Sequence, residues 1–305
     1  MRALEKRTIE RMDHTQVTFL GLGALEIGRN WGMGTDTERP DEHTAGRVLN
    51  EALDAGLNLI DTASAYHRSE ERIGQFVSGR RNEFVLASKC GEHSCEPGTY
   101  YDFSYEAVTR SIDESLRKLR TDVIDLMQIH FGPDPEAVIR NGETVRAMKD
   151  AQKAGKIRFL GASIDGKLAE ECIRSGDFDV MQMAYNLSNR GNEANIALAR
   201  ERGIGVLVRC GMGNGLFTPR VLLSPDRLSE DVRRRLFDSL DQIGGDPEQA
   251  IQTLMAINLR FLYENPGISS VIVGTKKPEN IRKNMALLEQ KTEDGLYARI
   301  CRIWS

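Results

Sequence analysis

Four side chains of this 305-residue chain make an acid–base set if the fold brings them together: Asp61, Tyr66, Lys89 and His130. Tyrosine titrates at about 10, too high to give and regain a proton easily at neutral pH. A nearby ammonium favours the phenolate, and a carboxylate paired with that ammonium holds it in place and keeps it charged. Tyr66, Lys89 and Asp61 match those three roles. A histidine across the same pocket can orient a carbonyl oxygen or share in the proton transfer. The chain has no G-x-S-x-G elbow and no evident Cys–His pair, so covalent nucleophilic catalysis is disfavoured. Carbonyl reduction or alcohol oxidation, with hydride from a bound cofactor, fits these residue types.

Each of these residues ends or follows a strand-like run. Eight such runs are FLGLG (19–23), LNLID (57–61), EFVLASK (83–89), VIDLMQIH (123–130), IRFLGAS (157–163), DVMQMAY (179–185), IGVLVRC (204–210) and SSVIVG (269–274). Several lack period-2 alternation, as parallel strands buried on both faces do. Between them lie amphipathic segments. In 104–120, Val108, Ile112, Leu116 and Leu119 mark one helical face and Ser104 offers an N-cap; 143–155 ends in a glycine stop, and 246–267 opens with Asp before Pro.

Eight strands alternating with helices predict an α/β fold, a (β/α)8 TIM barrel forming one domain over 1–305. An open doubly wound sheet has the same local pattern, but eight regular units favour closure. Residues before 19 suit a small hairpin or cap, and 211–245 reads as a long insertion after the seventh strand. Strand C-terminal ends build the active site in such barrels. Taken in order, those ends add Ser163, Gln182 and Arg209 to the set.

Composition excludes other classes. The chain is 40% hydrophobic and 28% charged, with a formal charge of −4 and a pI of about 5.9. That balance gives no footprint for nucleic acid or an anionic membrane. No apolar stretch approaches the roughly 18 residues of a membrane span. The N-terminal segment is charged throughout, unlike a secretory signal. Five cysteines argue against a disulfide framework, so a reducing cytoplasm is expected. His67, Cys90, His93 and Cys95 suit zinc by type, but C-x2-H-x-C is not a usual finger spacing, and no metal site is assigned.

The motifs DTASAY…SEERIG (61–74), the Lys89 strand end, SIDESLRKLRTDVIDLMQIH (111–130), GAS (161–163), MQMAYN (181–186) and VGTKKPENIRKN (273–284) resemble those of the aldo-keto reductase family. The resemblance spans roughly 16–288. It implies the barrel, reversible reduction of an aldehyde, ketone or sugar carbonyl, and a tetrad of Asp61, Tyr66, Lys89 and His130 with Tyr66 as proton donor. It also implies alternatives: a cofactor-binding redox-sensing subunit, or a dehydrogenase working mainly toward sugar or polyol oxidation.

By the same resemblance a nicotinamide cofactor binds extended. Ser163 and Gln182 would hold its carboxamide, with Ile164 standing where the family often has Asn. Arg209 takes the place of a stacking aromatic, and its charge should disfavour the oxidised ring. Gly23, Ala24, Leu25, Gly211 and Met212 would approach the cofactor, with CGMGNG (210–215) meeting the pyrophosphate through backbone amides. Gly274, Thr275, Lys276, Asn280 and Asn284 would meet the adenosine end. Gly274 and Asn280 stand where relatives carry basic residues, so Lys276 is left to supply phosphate charge, and NADP is expected over NAD. The tail residue Trp304 is a candidate for the substrate pocket, Tyr100, Tyr101 and Phe103 for an aromatic wall. His67, which stands where the family usually has Gly, could bear on substrate choice or pH response.

Overall fold

The computed structural model describes residues 1–32 and 37–305. Its twelve strands are β1 (Lys6–Ile9), β2 (Thr15–Thr18), β3 (Leu20–Gly23), β4 (Leu59–Asp61), β5 (Val85–Cys90), β6 (Glu92–Cys95), β7 (Gly98–Tyr101), β8 (Ile124–His130), β9 (Ile157–Ser163), β10 (Val180–Ala184), β11 (Gly205–Arg209) and β12 (Ser270–Gly274). Eight of them close a parallel barrel in the order β3-β4-β5-β8-β9-β10-β11-β12, with β12 returning to β3. These are the eight runs expected from the sequence: Ile157–Ser163 keeps its bounds, Val85–Cys90 starts two residues later and ends one later than expected, and the others are trimmed by a residue or two. Closure resolves the choice between a barrel and an open sheet.

Burial explains the lack of alternation. Residues of β3, β4 and β10 are buried on both faces, inward against the barrel interior and outward against helices. The antiparallel pair β1–β2 covers the N-terminal end of the barrel. Its Ile9 and Val17, with Met12 from the turn, pack against Leu59, Ala87, Leu126, Phe159, Val180 and Leu207. The opposite end stays open for the site.

Local signals set the helix ends. Ser104 caps Tyr105–Leu119 by accepting from Ala107 N, and Asp246 caps Pro247–Glu264 through the N–H groups of Glu248 and Gln249. Val108, Ile112 and Leu119 are buried, with Leu116 packed beside them. Burying such a side chain is worth about 1.5–3 kcal/mol, so this stripe fixes the helix's rotation. The insertion after β11 consists of 3₁₀ turns at Gly213–Gly215, Pro219–Leu223 and Pro225–Arg227, then the helix Glu230–Ile243. That helix joins Pro247–Glu264 and the C-terminal Asp294–Ile303 around a second apolar cluster.

Trp304 belongs to that cluster. It is 4% exposed, its ring meets Phe217 edge-on at 5.3 Å, and its Nε1 donates to Ser239 Oγ at 2.9 Å. The expectation that this tail residue belongs to the substrate pocket is therefore corrected. Its apolar ring and N–H find both a hydrophobic seat and a hydroxyl acceptor in the insertion.

Candidate active site

Barrel register places three of the four acid–base residues side by side, and the loop after β4 brings Tyr66 to them. Asp61 lies opposite Ala87 two residues before Lys89, which pairs with Gln128 two residues before His130. The loop after β4 is tied down at several points. Ser64 Oγ donates to the carbonyls of Lys89 and Glu92, and Thr62 Oγ1 donates to Ser69 Oγ, which in turn donates to Ala24 O. Gly28 lets this loop close: a Cβ there would lie 2.2 Å from Tyr66 O. Tyr66 is thus held from its backbone on both sides, since Ser69 N donates to Tyr66 O and Tyr66 N donates to Ala63 O.

The charge pair at the centre is buried. Lys89 Nζ donates to Asp61 Oδ2 at 2.6 Å and to Thr62 O at 2.9 Å, and lies 5.1 Å from the centre of the Tyr66 ring. Asp61 Oδ1 also accepts from Gln128 Nε2 at 3.0 Å and Gln182 Nε2 at 2.8 Å. Burial alone would lower Lys89, but Asp61 and then Tyr66 outweigh it, holding the ammonium above the ordinary lysine range. Burial pushes the Tyr66 phenol up; Lys89 pulls it down, while Asp61 and Glu92 add to the rise, and the balance lies above the ordinary value. Lys89 thus pulls in the expected direction, and burial outweighs it in the free protein. Desolvation of a phenolate exceeds the help of one ammonium already paired to a carboxylate.

His130, at the end of β8, meets Tyr66 edge-on with ring centres 5.9 Å apart. Its Nδ1 lies 2.8 Å from Glu92 Oε2. The approach departs from an aligned N–H···O bond, so the two groups are close neighbours at this distance. Glu92 begins the β6–β7 hairpin, and Gly91 before it adopts φ +95°, where a Cβ would strike the Phe103 ring at 2.3 Å. Thr99 Oγ1 donates to Glu92 Oε1 at 2.6 Å, and Arg29 Nη1 stands 3.9 Å from the same oxygen. Burial favours the neutral acid, but His130, Thr99 and Arg29 outweigh it and hold the Glu92 carboxyl down at about 2. Sequence reasoning missed Glu92. It lies in a hairpin off the barrel, and nothing in its spacing tells that it faces the end of β8.

These residues open into a cavity of about 1400 Å³ that continues as a groove across the barrel mouth. Among the residues expected to bind cofactor, Gly23, Leu25, Ser163, Gln182, Arg209, Gly211, Met212, Gly274, Thr275, Asn280 and Asn284 line it. Ala24 does not, being fully buried with its N–H donated to Asp61 O. Lys276 is also buried and outside the lining, whereas its exposed neighbour Lys277, and Lys283, face the groove. The 210–215 turn is pinned from behind, where Asn186 Nδ2 donates to Cys210 O and the buried Asn258 donates to Gly211 O.

Arg209 pairs with Asp165, whose other oxygen accepts from Ala184 N and Asn192 Nδ2. That carboxylate offsets the charge expected to disfavour an oxidised ring. Arg209 Nε is buried without a partner, a donor aimed at no protein acceptor among the described residues. Gln182 spends its Nε2 on Asp61 but keeps Oε1, which meets Ser163 Oγ at a long 3.5 Å. An unmet donor, a weakly used amide oxygen and two lysines along one groove suit a polar, anionic dinucleotide.

Of the expected aromatic wall, Tyr101 lines the cavity, joined by Trp31 and Phe131, which the sequence did not single out; Tyr100 instead stacks on His93 at 5.1 Å, and Phe103 stacks on Tyr101. His67 sits outside the lining, at φ +50°, with Nδ1 2.7 Å from Ser94 Oγ. Burial first, then Arg29 and Arg39, lower it below the ordinary histidine value against the pull of Glu96.

The Aldo/keto reductase family model matches residues 20–305. The chain belongs to this family. It is 28% identical to "Uncharacterized oxidoreductase YqkF" of Bacillus subtilis, over 97% of this chain and 95% of that protein. It is 27% identical to the NADH-specific methylglyoxal reductase of Escherichia coli, over 92% and 93% of the two chains. Among solved structures, the holo form of aldo-keto reductase AKR11C1 from Bacillus halodurans superposes with a TM-score of 0.76 at 26% identity, covering 98% of this chain and 96% of that one. Aldo-keto reductases are oxidoreductases of carbonyl substrates that use nicotinamide cofactors, and this chain is one of them.

Proposed function

We propose that the protein reduces the carbonyl of a small aldehyde, ketone or sugar, reversibly, with Tyr66 as the proton donor. One observation carries the reading: Tyr66, the Lys89–Asp61 pair and His130 converge at the barrel mouth, where the groove begins. A reduced nicotinamide cofactor, when bound, supplies the hydride. The chain's own residues handle the oxygen. Tyr66 gives its proton to the carbonyl oxygen, Lys89 stabilises the phenolate left behind, and Asp61 keeps Lys89 charged and aimed. At neutral pH Tyr66 carries the proton that reduction consumes.

Ser163, Gln182 and Arg209 would hold the carboxamide end of the cofactor. The 210–215 turn would meet the phosphates, and Thr275, Asn280 and Asn284 the adenosine. Lys277 and Lys283 bring positive charge to that end, which supports NADP over NAD. The Escherichia coli relative's name places a small oxoaldehyde first among substrates to try. The test is a cofactor-consumption screen over oxoaldehydes, ketones and sugars with NADPH and NADH. Substrate-dependent oxidation of either supports the reading; tight cofactor binding with no turnover of any carbonyl would instead favour a redox-sensing role.

A further inference from the structure

We propose that Glu92 is a positioning residue for the reduction: it fixes the first proton of His130 on Nδ1, so that Nε2 becomes a hydrogen-bond donor to the substrate oxygen when the ring takes a second proton. The inference rests on the carbonyl-reducing reading above and extends it to how His130 is controlled.

A carboxylate oxygen 2.8 Å from a ring nitrogen cannot face a bare lone pair, so Nδ1 carries a proton. The carboxylate is itself held ionised and in place by Thr99 and by Arg29 on its other oxygen. A neutral imidazole has one N–H. With that proton on Nδ1, Nε2 presents a lone pair to the pocket, where it repels a carbonyl oxygen and accepts from an alcohol O–H. A second proton turns Nε2 into a donor suited to a carbonyl. His130 lines the cavity, and its contact with Glu92 is made through Nδ1.

Other charged or titratable groups face this pair. Tyr66 meets the His130 ring edge-on, with Lys89 and Asp61 behind it as a paired couple; Arg29 faces Glu92, and Tyr101 of β7 stands opposite Glu92 in register. Of these, the Glu92 carboxylate is the one in contact with a His130 nitrogen. A reduced nicotinamide cofactor would supply hydride to the carbonyl carbon, and the π pair would then rest on the oxygen that faces Tyr66 and His130. That oxygen takes the Tyr66 proton, and solvent reprotonates the phenolate. The imidazolium contributes a hydrogen bond to the developing oxyanion and is not consumed.

The first test is Glu92→Gln, which keeps the shape and removes the charge, with Glu92→Asp as the conservative variant. For carbonyl reduction, kcat of Glu92→Gln at neutral pH should fall about 10-fold or more, within the range of a lost acid–base contribution. The alkaline limb of its kcat/KM profile should move down by about one pH unit, as loss of an adjacent opposite charge requires. Glu92→Asp should restore the limb, and cofactor Kd should stay within about twofold of wild type. A Glu92→Gln limb that superposes on wild type, or moves up, overturns the proposal.

The second test needs no variant. Nitrogen NMR of the wild-type protein above the limb should show His130 with its proton on Nδ1, and a proton on Nε2 overturns the proposal. If the wild type reduces no carbonyl, the functional reading fails while the tautomer measurement still decides the role of Glu92.

Discussion

Three donors converge on the Asp61 carboxylate, two on Oδ1 and one on Oδ2, and each comes from a different barrel strand. Removing its charge strands a buried ammonium. Asp61→Asn should therefore destabilise the fold by about 3–5 kcal/mol in urea titration, the usual cost of breaking a buried pair from one side. Glu92 makes an opposite, pH-linked prediction. Its folded value of about 2 lies below the ordinary 4.5, so its stabilisation is complete above 4.5 and is lost as pH falls toward 2. Glu92→Gln should flatten the fall in stability across that window. Chemical unfolding at pH 5, 3.5 and 2.5 measures it; an unchanged slope would mean the carboxylate is no better solvated folded than unfolded.

The elements show what the sequence conveyed and what it could not. Every barrel strand was legible because strands buried on both faces need uninterrupted apolar runs, and the helix ends at Ser104 and Asp246 because capping is local chemistry. Asp61, Lys89 and His130 could be picked out because barrel strands deliver their last residues to one rim. Glu92, Arg29 and Trp304 could not be placed, since each is positioned by a loop or tail whose path depends on tertiary packing. Lys276 and Lys277 illustrate the same limit: adjacent identical residues differ in burial, and spacing alone does not tell which faces the groove. Trp304 supplies the element-scale prediction. Trp304→Ala removes the Phe217 contact and leaves Ser239 Oγ without its donor, at a cost of about 3–5 kcal/mol. Thermal unfolding should register that loss while substrate KM changes less than about twofold; a raised KM with unchanged Tm would return Trp304 to the pocket.

At the scale of the molecule, the barrel is stoppered at one end by β1–β2 and open at the other, where site and groove form one cavity. A ligand bound only by the folded state stabilises it by about 2.7 kcal/mol at a hundredfold excess over Kd. NADPH should therefore raise the unfolding temperature by several degrees. Lys277→Ala with Lys283→Ala should erase more of the NADPH shift than of the NADH shift, and equal losses would remove the charge argument for NADP.

The central claim is that Tyr66 delivers the proton at the mouth of this groove. Its most direct test is steady-state carbonyl reduction by Tyr66→Phe beside wild type, with cofactor Kd measured on both. Tyr66→Phe should lower kcat by about 100-fold or more with Kd unchanged, in line with loss of a general acid. A Tyr66→Phe enzyme that turns over within a few-fold of wild type would contradict it.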